Sequence, residues 1–313
     1  MGKQVCLEKQ KMLSMLATAE GPLTRTARRS SQLIAASERI TLDPFTEIDW
    51  DVPIDDSTYH LPPEWLPRYG TEVWAAMDEP TRIAYSRHEC AALCGAGIWF
   101  ENRLMQVVLR HLAGIPVTAP EHRYLLIEVA DECRHSTMFG EYIRRAGTPA
   151  YSPPADAPSL DTLGDVPAAR PLGYLLVLAV EEILDAANRA TMKDESLHVV
   201  SRQMAKLHVL EEARHVSFAK TYLGEVWPTL SSDDRAAVMV LAPHAVAQVA
   251  ALMVDDAVYD ELGINDGAAV ARANPHHRAR IIDGLAKVTA FLEDLGVIDA
   301  EHRPVWQDLG LVG

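Results

Sequence analysis

Long apolar runs, structured cysteines, aromatic residues and surplus positive charge are all scarce in this chain, and each scarcity removes a class of function. The longest apolar run, Leu172 to Val180, is followed at once by Glu181-Glu182; a membrane span needs about 20 apolar residues. The four cysteines, Cys6, Cys90, Cys94 and Cys133, lack the spacing of a disulfide framework or zinc site, which suits free thiols in a reducing compartment. Cys90 and Cys94 share a helical face and read as small core residues. The N-terminus has no apolar core of signal-peptide type, so a cytoplasmic protein is expected. A formal net charge of −15 argues against nucleic acid or an anionic membrane surface as partner. There is no Gly-rich phosphate loop and no convincing strand. Aromatic content of 6% leaves the lining of any substrate pocket unreadable.

What the chain does hold is helix. Its 313 residues are 48% hydrophobic and 23% charged, the balance of a soluble, Ala/Leu-rich all-α protein with a large core. Residues 1–77 read as an arm and loop packing on the rest. Glu8 to Ala17 and Thr24 to Ser37 suit short helices that pack on the domain or on a partner subunit. Prolines from Pro44 to Pro67 keep residues 44–69 as loop, with Trp50 and Trp65 pinning it. Residues 78–313 read as one helical domain. A first long helix starts near Asp78 and ends at Gly114, with Gly95 and Gly97 marking close packing or room for a ligand. A second starts at a Thr118 N-cap and runs to about Arg145. A Pro-rich crossover over 148–169 precedes a third helix from Arg170-Pro171, and a fourth runs to about Val226. Residues 231–263 read as helix with a kink or break at Pro243. A last helix spans Arg278 to Leu295 after a surface His276-His277, and the tail, with Trp306 and Leu309, packs on the outside.

The chemistry is concentrated on the second and fourth of these helices. His208, Glu212 and His215 stand at i, i+4 and i+7, one narrow face of a helix. Glu132 and His135 repeat the Glu-x-x-His pair, and the two stretches also share Val129/Val209, Arg134/Arg214 and Tyr142/Tyr222 at equal offsets. Carboxylate and imidazole are the ligands that suit a first-row transition metal. Bundles that hold two iron or manganese ions use two Glu-x-x-His helices plus one Glu from each of two others. Glu101 lies mid-way along the first long helix. Glu181 or Glu182 interrupts the apolar third helix, where an unpaired carboxylate would be expensive; adjacent residues differ by about 100°, so one of the two reaches the site and the other is paired elsewhere, for example with Arg189. A single Glu-x-x-His could be ordinary helix charge beside a core histidine. Two that share an arginine, each preceded by a helix with an inward Glu, indicate a dinuclear metal site. Asp131, Glu211, Arg134 and Arg214 flank it and could orient the ligands, as could Glu128.

This order of residues resembles the p-aminobenzoate N-oxygenase (AurF-like) di-iron family of the ferritin-like superfamily, over roughly residues 80–225. The distinguishing mark is the extra histidine one turn before the last Glu-x-x-His, here His208. The resemblance implies a ferritin-like four-helix bundle with additional N- and C-terminal helices. It implies metal ligands Glu101, Glu132, His135, Glu181, His208, Glu212 and His215, with Glu181 preferred over Glu182 by its distance from His208. It further implies two iron ions per chain and O2 as co-substrate, activated through a diferric peroxo that oxidises a small-molecule amine towards hydroxylamine, nitroso or nitro. An external electron donor, a reductase or ferredoxin, would be needed, and a homodimer is expected. No catalytic residue beyond the ligands is assigned; Arg272, Arg278 and Arg280 are candidates for binding an aromatic carboxylate. Hydroxylation or desaturation of C–H bonds on the same cofactor, a non-enzymatic iron-binding bundle, and a radical-generating subunit are the competing readings. The last requires a redox tyrosine, and Tyr142 and Tyr222 lie about two turns past the ligand histidines.

Overall fold

The computed structural model describes residues 24–153, 166–264 and 267–313. The helix expected over Glu8 to Ala17, together with Cys6, Pro154 and Pro158, lies outside the described residues. In chain order the helices are α1 (Thr24–Ser37), α2 (Pro44–Glu47), α3 (Glu72–Ala76), α4 (Glu79–Leu112), α5 (Pro120–Ala146), α6 (Ala169–Thr191), α7 (Val199–Val226), α8 (Ser232–Ala251), α9 (Asp256–Glu261), α10 (Gly267–Ala273), α11 (Pro275–Leu295) and α12 (Arg303–Asp308). No strand occurs among the described residues, and the fold is the all-α ferritin-like one.

Four helices make the bundle. α4 packs along α5 and α6 along α7, while α4 also meets α6 and α5 meets α7, so all four surround one interior. The segment between α5 and α6 is the long crossover that separates the two pairs. α6 is buried nearly all round, with Leu172, Tyr174, Leu175, Leu178, Ala179 and Val180 each at most 3% exposed. The reason is that α8 and α11 cover the side facing away from the bundle; a helix apolar all round must be covered all round. α1 lies across α5 and α7, where Glu225 accepts from the Thr26 N–H at 2.7 Å and from its hydroxyl at 2.8 Å. The arm therefore packs on its own domain.

Local signals explain most helix ends. Asp78 caps α4 by accepting from the Thr81 N–H, with Pro80 in the first turn. Gly147 ends α5 with φ +65°, a left-handed conformation that favours glycine. Gly95 allows a close approach: a Cβ there would lie 2.0 Å from the Tyr151 carbonyl oxygen. Several expectations are corrected. Thr118 does not cap α5; Ala119 holds that position without a side-chain bond. The loop over 44–69 contains two helical turns, α2 and Pro63–Trp65, because Pro is favourable at a helix start. α8 runs through Pro243 without a break; one lost N–H bond is outweighed by burying Val238, Ala242, Val246 and Val249. The break comes at residues 252–255, before Asp255 caps α9. Trp306 is 1% exposed in the core while Leu309 is 37% exposed, so the tail is anchored rather than laid on the outside. The stretch Ser232–Glu261 is apolar enough by composition to cross a membrane, but it contains that break.

Candidate metal centre

The Glu-x-x-His helices α5 and α7 face each other, and α4 and α6 close the other two sides. Glu101, Glu132, His135, Glu181, His208, Glu212 and His215 converge in the bundle interior, none more than 5% exposed. His135 Nδ1 lies 3.2 Å from both Glu132 Oε2 and Glu212 Oε1, and 3.8 Å from Glu101 Oε1. His215 Nδ1 lies 2.9 Å from Glu132 Oε1 and 2.9 Å from Glu212 Oε2. His208 Nε2 is 3.6 Å from Glu212 Oε1. Three groups form whose donor atoms all lie within 4.8 Å of one another: Glu101–His135–His208, Glu132–Glu212–His215 and Glu181–His208–Glu212.

The hydrogen bonding tests whether cations fit. Glu101 Oε1, Glu132 Oε1, Glu181 Oε2 and Glu212 Oε1 are buried and have no well-formed hydrogen bond. A buried carboxylate oxygen without a well-formed hydrogen bond is costly, and four of them, two within 3.2 Å of a histidine nitrogen, crowd one interior, which is what bound cations would satisfy. The donors, four carboxylates and three imidazoles, suit two first-row transition ions.

Outer residues hold the histidines by their far nitrogens. His135 Nε2 donates to Glu211 at 2.9 Å, and His215 Nε2 donates to Asp131 at 3.3 Å. Each support comes from the other helix. Arg214 donates to Asp131 at 3.0 Å and to Glu211 at 3.2 Å, and Arg134 pairs with Asp131. The four flanking residues read from the sequence thus form one network beneath the histidines. His208 is held differently: the Asn188 amide lies 3.2 Å from its Nδ1. Ser136 donates to Glu101 Oε2 at 2.5 Å. The sequence reading missed both. Asn188 stands seven residues after Glu181 and so on its face of α6, a signal that could have found it; Ser136 had none.

Electrostatics follow from this crowding. Burial raises Glu101 and Glu181 well above the usual carboxylate range, with neighbouring Glu132 and Glu212 adding to it. Burial opposes charge on His135 and His215, but the surrounding carboxylates win and raise both well above the usual imidazole value. Burial also acts to raise Glu212, yet His215, His208 and His135 hold it well below its ordinary value. His208 goes the other way, lowered to about 4 by burial, which leaves a neutral imidazole. Glu128, one turn before Glu132, is raised to about 8 chiefly by burial.

Glu181 points to the cluster and Glu182 does not: Glu182 takes Lys220 at 2.6 Å and Lys287 at 3.3 Å. Arg189, expected as its partner, pairs with Asp185 at 2.7 Å. His277 is half-buried rather than fully exposed; burial lowers it to about 4, and it lines a small cavity with Glu89 and Arg280. Arg272 is paired with Asp256 at 2.6 Å and Arg278 donates to the Ala273 carbonyl, so both are committed to local structure. Tyr142 shares a hydrogen bond with His60 at 2.8 Å, and Tyr222 packs on His111 and Tyr174.

Two cavities reach the cluster along α6. One, of about 50 Å³, is lined by Cys94, Gly97, Phe139, Asn188 and His208. The other, of about 290 Å³, is an apolar groove between α4, α6 and α8 whose lining includes Val180 and Glu181.

With this geometry in hand, the comparisons are informative. A family model described as P-aminobenzoate N-oxygenase AurF matches residues 24–296. Uncharacterized proteins of Mycobacterium tuberculosis and Mycobacterium bovis are each 28% identical over 296 residues, covering 88% of this chain and 84% of theirs.

Proposed function

The chain belongs to the p-aminobenzoate N-oxygenase AurF family, and from that premise we propose that it is a di-iron oxygenase that transfers oxygen from O2 to the nitrogen of a small-molecule amine. The observation that carries the reading is the set of four buried carboxylates, each with an oxygen that lacks a well-formed hydrogen bond, around three histidines. Glu101, Glu132, Glu181, Glu212, His135, His208 and His215 would hold two iron ions. Four carboxylate charges balance two divalent cations, so the loaded interior is neutral. Bound there, the irons supply the activation of O2, the chemistry no side chain can perform.

The chain's own residues supply the rest. Glu211 and Asp131 fix His135 and His215 with Nδ1 turned inward and Nε2 as donor. Arg134 and Arg214 hold those two carboxylates in place. Metal loading displaces the protons carried by Glu101, Glu181, His135 and His215. His208 is already neutral and adds a donor at no proton cost. The seven side chains are each at most 5% exposed, which limits contact with bulk water. Electrons would come from an external reductase or ferredoxin, and the working unit would be a homodimer.

Metal analysis of the purified protein together with mass spectrometry of an arylamine after single turnover tests this. Two irons per chain and an amine that gains oxygen at nitrogen support it. Oxygen gained at carbon would replace N-oxygenation by hydroxylation, and a protein that binds no iron would sink the proposal.

A further inference from the structure

The groove that reaches Glu181 is assigned to no role by the metal chemistry. We propose that it binds the body of the amine substrate, and that it selects an uncharged aryl or alkyl body over one bearing a carboxylate. The chemistry of this inference rests on the di-iron reading; the binding does not.

The walls make the case. Trp99, Phe100, Leu104, Leu176, Val177 and Val249 are among its apolar lining, drawn from α4, α6 and α8. A volume of about 290 Å³ is close to the lower end of small-molecule sites, which are mostly apolar with few polar groups. The cavity at His208 is about 50 Å³, too small for such a body. Glu181, one of the seven residues that would hold iron, is part of the groove's lining. An amine nitrogen at that end sits beside the candidate centre.

Charge decides against an anionic body. Two cations line the groove, Arg103 and His244, the first half-buried and the second exposed. Arg103 stacks over the Trp99 ring at 5.2 Å and has further interactions. A carboxylate beside the exposed His244 would stay in water, where an ion pair is worth little. A carboxylate deeper would be buried among Leu104, Leu176, Val177 and Val249, where an unpaired charge is expensive. Recognition therefore falls to apolar contact.

The test is calorimetric titration of the full-length, iron-loaded protein with 4-methyl-, 4-ethyl-, 4-propyl- and 4-butylaniline and with 4-aminobenzoate, with iron content measured on the same sample. Affinity is expected to rise about fourfold per added methylene, from about 0.8 kcal/mol for each CH2 buried, and 4-aminobenzoate should bind no tighter than 4-methylaniline. Val177→Phe narrows the groove and Ala245→Phe fills the wall from α8; both should abolish the chain-length dependence. Circular dichroism identifies a variant that has not folded, and Ala245→Phe, at a half-buried position, stands if Val177→Phe does not. Chain-length dependence in a protein that takes up no iron when ferrous iron is supplied would support the groove while removing the di-iron reading. Affinity indifferent to chain length, unchanged by both variants, or greatest for 4-aminobenzoate would overturn the inference.

Discussion

His135 on α5 is held by Glu211 on α7, through a 2.9 Å hydrogen bond from its Nε2, and the reverse pairing of His215 with Asp131 spans the same two helices at 3.3 Å. The two Glu-x-x-His helices thus orient each other's histidines. Glu211→Gln should keep the fold and lower iron affinity about 10–100-fold, the usual effect of losing such a support. Iron titration of the variant checks this; unchanged affinity would mean that packing alone fixes the ring.

Glu181 and Glu182 should separate cleanly. Glu181→Ala is expected to cost iron stoichiometry, since its carboxylate faces His208 and Glu212. Glu182→Ala should leave stoichiometry intact and lower stability by about 1–2 kcal/mol, because Lys220 and Lys287 lose their partner but remain partly in solvent. Metal analysis and urea unfolding read the two effects. Equal iron loss in both variants would overturn the assignment.

His208 belongs to two of the three donor groups. His208→Ala should therefore reduce iron from two per chain towards one, whereas Asn188→Ala, which removes only its 3.2 Å neighbour, should weaken binding without changing stoichiometry. A full iron load in His208→Ala would exclude it as a ligand.

Iron affinity should rise with pH. The metal-free cluster holds protons on Glu101 and Glu181, raised by burial, and on His135 and His215, raised by their carboxylate neighbours. Loading releases those protons, so higher pH favours the loaded state. His208, lowered to about 4, adds nothing to this dependence above about pH 5. Competition with a chelator at pH 6 and pH 8 should show weaker binding at pH 6; equal affinity would mean that no protons are displaced.

Two glycines in the bundle should respond oppositely to alanine. Gly95→Ala drives a Cβ to 2.0 Å from the Tyr151 carbonyl oxygen and should cost about 1–3 kcal/mol. Gly140→Ala, on α5 with nothing within 4 Å of the added carbon, should stabilise by about 0.5–1 kcal/mol. Urea unfolding of both variants decides.

By itself, the sequence determined the helices of the bundle and the pairing of ligand types. Helical spacing is local: residues at i, i+3, i+4 and i+7 share a face whatever the helix packs against, so Glu132 with His135, and His208 with Glu212 and His215, were legible before any fold. Only tertiary structure decided the rest. Glu181 and Glu182 are equally apolar in context, and it is Lys220 on α7 and Lys287 on α11 that draw Glu182 away. The reciprocal supports Glu211–His135 and Asp131–His215 depend on the register of α5 against α7, which no single-helix pattern carries. Pro243 signals a break, yet the packing of α8 on α6 outweighs one missing hydrogen bond. The groove at Glu181 is lined from α4, α6 and α8, so it depends on three helices packing at once.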